Sequence, residues 1–159
     1  MEKEKYYLEI KNLIESYEIN QRVRTFQDNS EKLQMNIGRL LIEAQGGNKR
    51  AKYGDNLINI WGNKLSKRYG RTYGKELLRR CRKFYLLFKK GSTLSSISWS
   101  QIVEILSIKN ENERNYYINQ VILNSLSVRE LRELIKSKAY DRLSYADKEN
   151  IKLINDSTL

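Results

Sequence analysis

The sequence predicts an all-α protein, a multi-helix bundle containing a helix-turn-helix-like core. In segment after segment, apolar residues recur at three- and four-residue steps, the period of an amphipathic helix. No stretch alternates apolar and polar residues as a half-buried strand would. The chain has no proline, so no residue of that kind interrupts a helix.

Taken in order, Tyr6, Tyr7, Ile10, Leu13, Ile14 and Tyr17 give a first helix over 3–18. Val23, Phe26, Leu33, Ile37, Leu40, Leu41 and Ala44 read as a second, long helix that stops at Gly46-Gly47. Whether Asp28-Asn29-Ser30 interrupts it, the pattern leaves open. Gly38 lies inside this helix at a cost of about 1 kcal/mol relative to alanine, which points to close packing against another backbone. After a basic loop, Asn48–Lys52, a third helix over 54–68 carries Leu57, Trp61 and Leu65 on one face with Ile58 beside them. Tyr69–Gly74 is a turn. Lys75–Lys90 follows as a helix whose apolar stripe is Leu77, Cys81, Phe84 and Phe88, flanked by Leu78 and Tyr85. Cys81 therefore reads as a small core residue rather than a reactive thiol.

Gly91–Ser98 is a serine-rich loop, and Ser98 or Ser100 can cap a short helix through Ile108. A further helix spans Asn110–Asn124. Ser127-Val128-Arg129-Glu130 is a capping box opening a helix to about Lys138, and 141–159 adds a last turn or helix. The whole, 1–159, reads as one helical domain divisible into two lobes: 1–90 with the basic helix-turn-helix, and 91–159.

The net charge of +11 becomes informative once it is located. Residues 1–48 hold seven Lys/Arg against eight Asp/Glu, and 91–159 hold nine of each. Between them, Lys49–Lys90 carries fourteen Lys/Arg against only Asp55 and Glu76, a balance of +12. Charge kept for solubility alone would be spread, whereas a binding surface concentrates it. Stepping 100° per residue sets Lys75, Arg79, Arg82, Lys83 and Lys90 opposite the apolar stripe of their helix. The preceding helix ends in Lys64, Lys67 and Arg68, and the turn adds Arg71, Thr72 and Tyr73. A helix fits the major groove of DNA, and cations along it neutralise flanking phosphates.

The same residues argue against catalysis. The chain lacks histidine, which removes the commonest general base and histidine-based metal sites. It has no glycine-rich phosphate loop, and its carboxylates are scattered along solvent faces. Tyr6, Tyr7, Tyr17, Tyr85 and Tyr116 fall on apolar stripes as packing residues rather than nucleophiles. No catalytic residue, metal ligand or cofactor is expected. A single cysteine fits a reducing compartment. The charged N-terminus has no apolar signal run and no stretch is long enough to span a bilayer, so the expected location is the cytoplasm.

In series, Ile37-Gly38, Lys52-Tyr53-Gly54, Leu65-Ser66, Tyr69-Gly70, Arg82-Lys83-Phe84-Tyr85, Ser98-Trp99-Ser100, Arg114-Asn115-Tyr116-Tyr117 and Ser127–Leu131 resemble the N-terminal helical domain of the YhcG family over residues 5–143. That family's C-terminal half is nuclease-like, and the residues here stop where that half would begin. The resemblance therefore implies the helical, DNA-engaging part, in a host-defence or mobile-element setting. A second resemblance, over Leu65–Phe88 and Leu126–Leu131, is to the central DNA-binding region of ParB-type partition proteins, and it favours DNA over RNA.

The resulting expectation is a non-catalytic protein that binds duplex DNA through the basic helix-turn-helix-like segment. The alternative is an adaptor or inhibitor whose basic face docks an acidic protein, a reading to which Leu86, set among the cations, contributes. A membrane partner is not expected.

Overall fold

A computed structural model of the chain describes residues 2–23, 30–47, 51–88 and 97–154. Among these residues there are eight α-helices and no strand: α1 (Glu2–Val23), α2 (Ser30–Gln45), α3 (Ala51–Tyr69), α4 (Lys75–Leu87), α5 (Trp99–Leu106), α6 (Glu111–Asn124), α7 (Val128–Lys136) and α8 (Tyr145–Glu149). Short 3₁₀ turns at Arg71–Tyr73 and Tyr140–Arg142 complete the order. None of the described helices is long and apolar enough to cross a membrane. The chain divides into two compact units, Met1–Lys89 and Lys90–Leu159.

In the first unit the apolar stripes read from the sequence meet. Ile10 and Ile14 of α1, Ile37, Leu40 and Leu41 of α2, Ile58, Trp61 and Leu65 of α3, and Leu78, Cys81 and Phe84 of α4 are all buried. The helix α4 packs most extensively on α2. The contact is made at Gly38, where an added Cβ would stand 2.1 Å from the Cys81 carbonyl oxygen and 2.7 Å from the Tyr85 Cβ. Only glycine lets two helical backbones approach this closely. Burial pushes the Cys81 thiol well above its ordinary pKa, so it stays a neutral core group. Beyond it, α1 runs alongside α3 in the same direction. Lys3 sits over the Tyr53 ring, Tyr7 packs against Trp61 at 5.8 Å between centroids, and Glu15 reaches Arg68.

Several boundaries differ from the sequence reading. Val23 closes α1 instead of beginning the next helix, so the single long pattern is two helices; Phe26, Asp28 and Asn29 lie outside the described residues. The stop at Gly46-Gly47 is a Schellman closure: the Gly46 amide donates to Glu43 and the Gly47 amide to Ile42, with Gly46 at φ 88°. Lys52 belongs to α3 rather than to a loop, and Asn48–Arg50 are outside the described residues. In α4 the buried centre is Leu78 with Cys81 and Phe84, while Leu77 is half-buried, because the stripe is rotated slightly from the one drawn through Leu77 and Phe88. The helix ends at Leu87, and the expected cation Lys90 and the loop from Gly91 to Ser96 are outside the described residues.

The second unit is built from caps. Ser98 accepts from the Gln101 amide while the Gln101 side chain takes the Ser98 amide, and the buried Gln101 also donates to the Leu126 carbonyl at 2.6 Å. The Ser127–Glu130 box opens α7 as expected, although the helix closes at Lys136, two residues short of the sequence estimate. Arg114, buried, donates to the Ile108 and Lys109 carbonyls and so closes the α5–α6 connection. The stretch after α8 is pinned along α6: Asn119 donates to the Lys152 carbonyl and accepts from the Ile154 amide.

Because the Gly38 contact is backbone against backbone, it cannot relax by turning a side chain. Gly38→Ala should destabilise the chain by about 1–3 kcal/mol despite alanine's better helix propensity. Urea unfolding of the variant measures this. A variant as stable as the parent would mean that α2 and α4 do not pack at this point.

Candidate nucleic-acid interface

The segment that gathers the positive charge is a helix, a 3₁₀ turn and a helix. Gly62 of α3 lies against the start of α4, where an added Cβ would stand 2.6 Å from the Lys75 amide nitrogen and 2.7 Å from its Cα. That closeness fixes where α4 leaves the turn. Once Leu78, Cys81 and Phe84 face the core, Lys75, Arg79 and Lys83 must lie on the far side. They form an exposed ridge with about 6 Å of rise between successive members.

Ten of the residues expected to face DNA are described, and they fall into groups. Lys64, Lys67, Arg71, Thr72, Lys75, Arg79 and Lys83 are exposed. Arg68 is exposed as well, but it is held on α1: its guanidinium donates to the Tyr69 hydroxyl at 3.0 Å and lies 3.7 Å from Glu15. Arg82 does not lie opposite the core. It sits a quarter-turn from Cys81, with its side chain only 16% exposed, and donates to Asp55 at 2.6 Å and to Gln45 at 3.3 Å. It thereby ties α4 to the end of α2 and the start of α3. Tyr73 is buried, 8% exposed, and its hydroxyl donates to Glu18. A side chain enclosed this way supports the turn from within.

Energetic magnitudes separate the remaining pairs. Arg79 and Arg80 each lie 3.6 Å from Glu76, with all three side chains about half exposed or more. Exposed pairs of this kind are worth about 0–1 kcal/mol, so an anion can displace Glu76. Among the described residues, Lys67, Arg71, Lys75 and Lys83 form no ion pair. The arrangement can therefore take polyanionic ligands along the turn and the outer side of α4.

Residues 9–142 match the family described as the DUF1016 N-terminal domain. The chain belongs to that family. It is 31% identical to the protein named "Putative nuclease YhcG" of Escherichia coli (strain K12), over 67% of this chain and 37% of that protein. The match thus spans a little over a third of the relative's length, in accord with the YhcG resemblance in the sequence. No solved structure matches the chain.

Within this DUF1016 N-terminal region, the turn's shape depends on two carboxylates of α1. Glu15 accepts from the Tyr69 hydroxyl and Glu18 from that of Tyr73. Sequence reading of α1 as a plain amphipathic helix missed both, since nothing local marks which glutamates face a neighbouring element. It also missed the outward face of α3, where Lys52, Asn56, Asn59, Asn63 and Lys67 are all exposed and Ile60 is 53% exposed. The signal is present as spacing, at steps of four, three, four and four, but three of the five positions are uncharged asparagines that do not stand out beside the cations.

Burial, and then the hydrogen bond to Glu18, raise the Tyr73 hydroxyl well above its ordinary pKa. An unfolded tyrosine ionises near pH 10, so this group's contribution is complete below that pH and declines as pH rises toward the raised folded value. In urea unfolding at stepped alkaline pH, Tyr73→Phe should lose stability less steeply above pH ~10 than the parent. Parallel slopes would show that Tyr73 is not held as a buried phenol.

Proposed function

We propose that the α3–turn–α4 segment is a helix-turn-helix-like module that binds duplex DNA, chiefly through phosphates. The observation that carries this is the confinement of +12 charges to Lys49–Lys90, coupled to a ridge of exposed cations on α4. The nuclease name of the Escherichia coli relative supports a nucleic-acid partner. B-form duplex is preferred over RNA, whose deep and narrow major groove does not admit a helix.

The module does not cleave what it binds. No group of three or more His, Cys, Asp or Glu able to hold a metal occurs among the described residues. The carboxylates beside the cations, Asp55, Glu76 and Glu15, are engaged by Arg82, Arg79, Arg80 and Arg68 instead of converging on one point. With Mg²⁺ or Mn²⁺ and protein in excess, duplex, single-stranded DNA and RNA should remain intact on a denaturing gel. Cleavage abolished by a single carboxylate substitution would overturn this.

Binding itself is tested by salt dependence. If about five phosphates are neutralised, log K against log [salt] has a slope of roughly −4 to −5. Replacing Lys75, Arg79 and Lys83 by glutamine should flatten it by up to about three units. Replacing Lys109, Lys136 and Lys152, which are exposed in the near-neutral second unit, removes the same charge and should leave the slope nearly intact. Equal weakening by both sets would mean diffuse electrostatics. A parent that binds no duplex at all would favour an acidic protein on this face, where Leu86 is 37% exposed.

A further inference from the structure

We propose that the outward stripe of α3 is the base-reading element and that it selects A·T pairs through the major groove. The inference rests on the duplex-binding reading above and adds to it the sequence class that is recognised.

Stepping 100° per residue places Lys52, Asn56, Asn59, Asn63 and Lys67 within one narrow face, directly opposite Trp61 and Leu65. All five are exposed. Asparagine is among the poorer helix formers, so three on the solvent face of one helix weaken it without serving the core. Their side-chain amides make no hydrogen bond among the described residues. Ile60 lies at the edge of the same face, exposed although an apolar core is within reach of every other large apolar side chain of α3.

Each component has a partner on an A·T pair. The asparagine amide is both donor and acceptor and fits adenine N6 and N7 together, while an apolar side chain meets the thymine methyl. Lys52 and Lys67, about 22 Å apart along the helix, would reach phosphates on either side. Asn56 to Asn63 covers about 10 Å, roughly three base-pair steps. The stripe is bordered by further cations. Lys75 enters beside Gly62, about a quarter-turn to one side, and Lys64 lies about a quarter-turn to the other. Thus α4 and the turn hold the backbone, and α3 is the helix presented to base edges.

Three duplexes of equal length test this by competition: one A·T-rich, one G·C-rich, and the A·T-rich duplex with 7-deazaadenine, in which N7 is replaced by C–H. The parent should prefer the A·T-rich duplex by at least about fivefold, the value of one weak bidentate contact, and lose most of that preference with 7-deazaadenine. The combined variant Asn56→Ala, Asn59→Ala, Asn63→Ala, whose helix is strengthened and whose fold circular dichroism can verify, should bind all three alike. Its salt slope should stay within about one unit of the parent's. Uracil in place of thymine should weaken the parent by up to about fourfold, the worth of one methyl, and leave Ile60→Ala unaffected. A preference that survives the triple substitution or ignores 7-deazaadenine overturns the proposal, since shape would then be the selector. A steep salt slope with no preference overturns it too but leaves phosphate binding standing. Absence of any duplex binding removes both.

Discussion

The contact of Gly38 with the Cys81 carbonyl fixes the rotation of α4, and the first unit's surface follows from that rotation. Two helical backbones this close leave room only for small residues at the crossing, which is why a cysteine occupies the centre of the α4 stripe with Leu78 and Phe84 on either side. Turning α4 by one residue would carry an arginine of the Arg79–Arg80 or Arg82 positions toward α2. Burying an unpaired guanidinium costs several kcal/mol, far more than any apolar contact such a rotation could gain. The exposed ridge of Lys75, Arg79 and Lys83 is thus a consequence of packing and needs no separate stabilisation.

The cations of this unit divide by the company they keep. Arg82 is largely enclosed and spans Gln45 and Asp55, so it acts as a tie between three helices. Arg68 lies flat beside Tyr69 with Glu15 behind it. The two α1 carboxylates therefore do more than lower net charge: they accept from the tyrosines on either side of the turn and hold it against α1. The turn's shape is therefore set before any ligand arrives, and pre-organisation of that kind reduces the ordering cost of binding.

Helix identity was legible wherever apolar spacing was regular. Ile10, Ile14, Ile37, Leu40, Trp61, Leu65, Cys81 and Phe84 were all placed in the core from periodicity, and they are buried. The Ser127 box and the Gly46-Gly47 stop were legible because caps are short local patterns with a fixed hydrogen-bond geometry. What failed was long-range or marginal. Between Val23 and Ser30 the sequence has no glycine or proline to mark where one helix gives way to the next. Arg82 looked like its neighbours until Asp55 and Gln45, distant in sequence, came to face it. Tyr73 reads as a turn residue of the DNA-facing surface because its partner Glu18 lies 55 residues away. Burial of a polar group is decided by what arrives from elsewhere in the chain, and a single sequence does not print that.

Affinity and choice would be carried by different helices in this reading, and the geometry makes the separation physically reasonable. Cations on α4 would act on phosphates, which every duplex offers, so their contribution would fall with salt and ignore sequence. Amides on α3 would act over hydrogen-bond distances and contribute only where a matching edge is present. The two helices are locked together at Gly62 and Lys75, backbone against backbone. A phosphate held by α4 would therefore set the depth and register at which α3 meets the groove, to within the small play that such a contact allows. Positioning by the backbone would thus precede reading of the bases, and the small cost of exposed asparagines in α3 is what the fold tolerates for having that second surface.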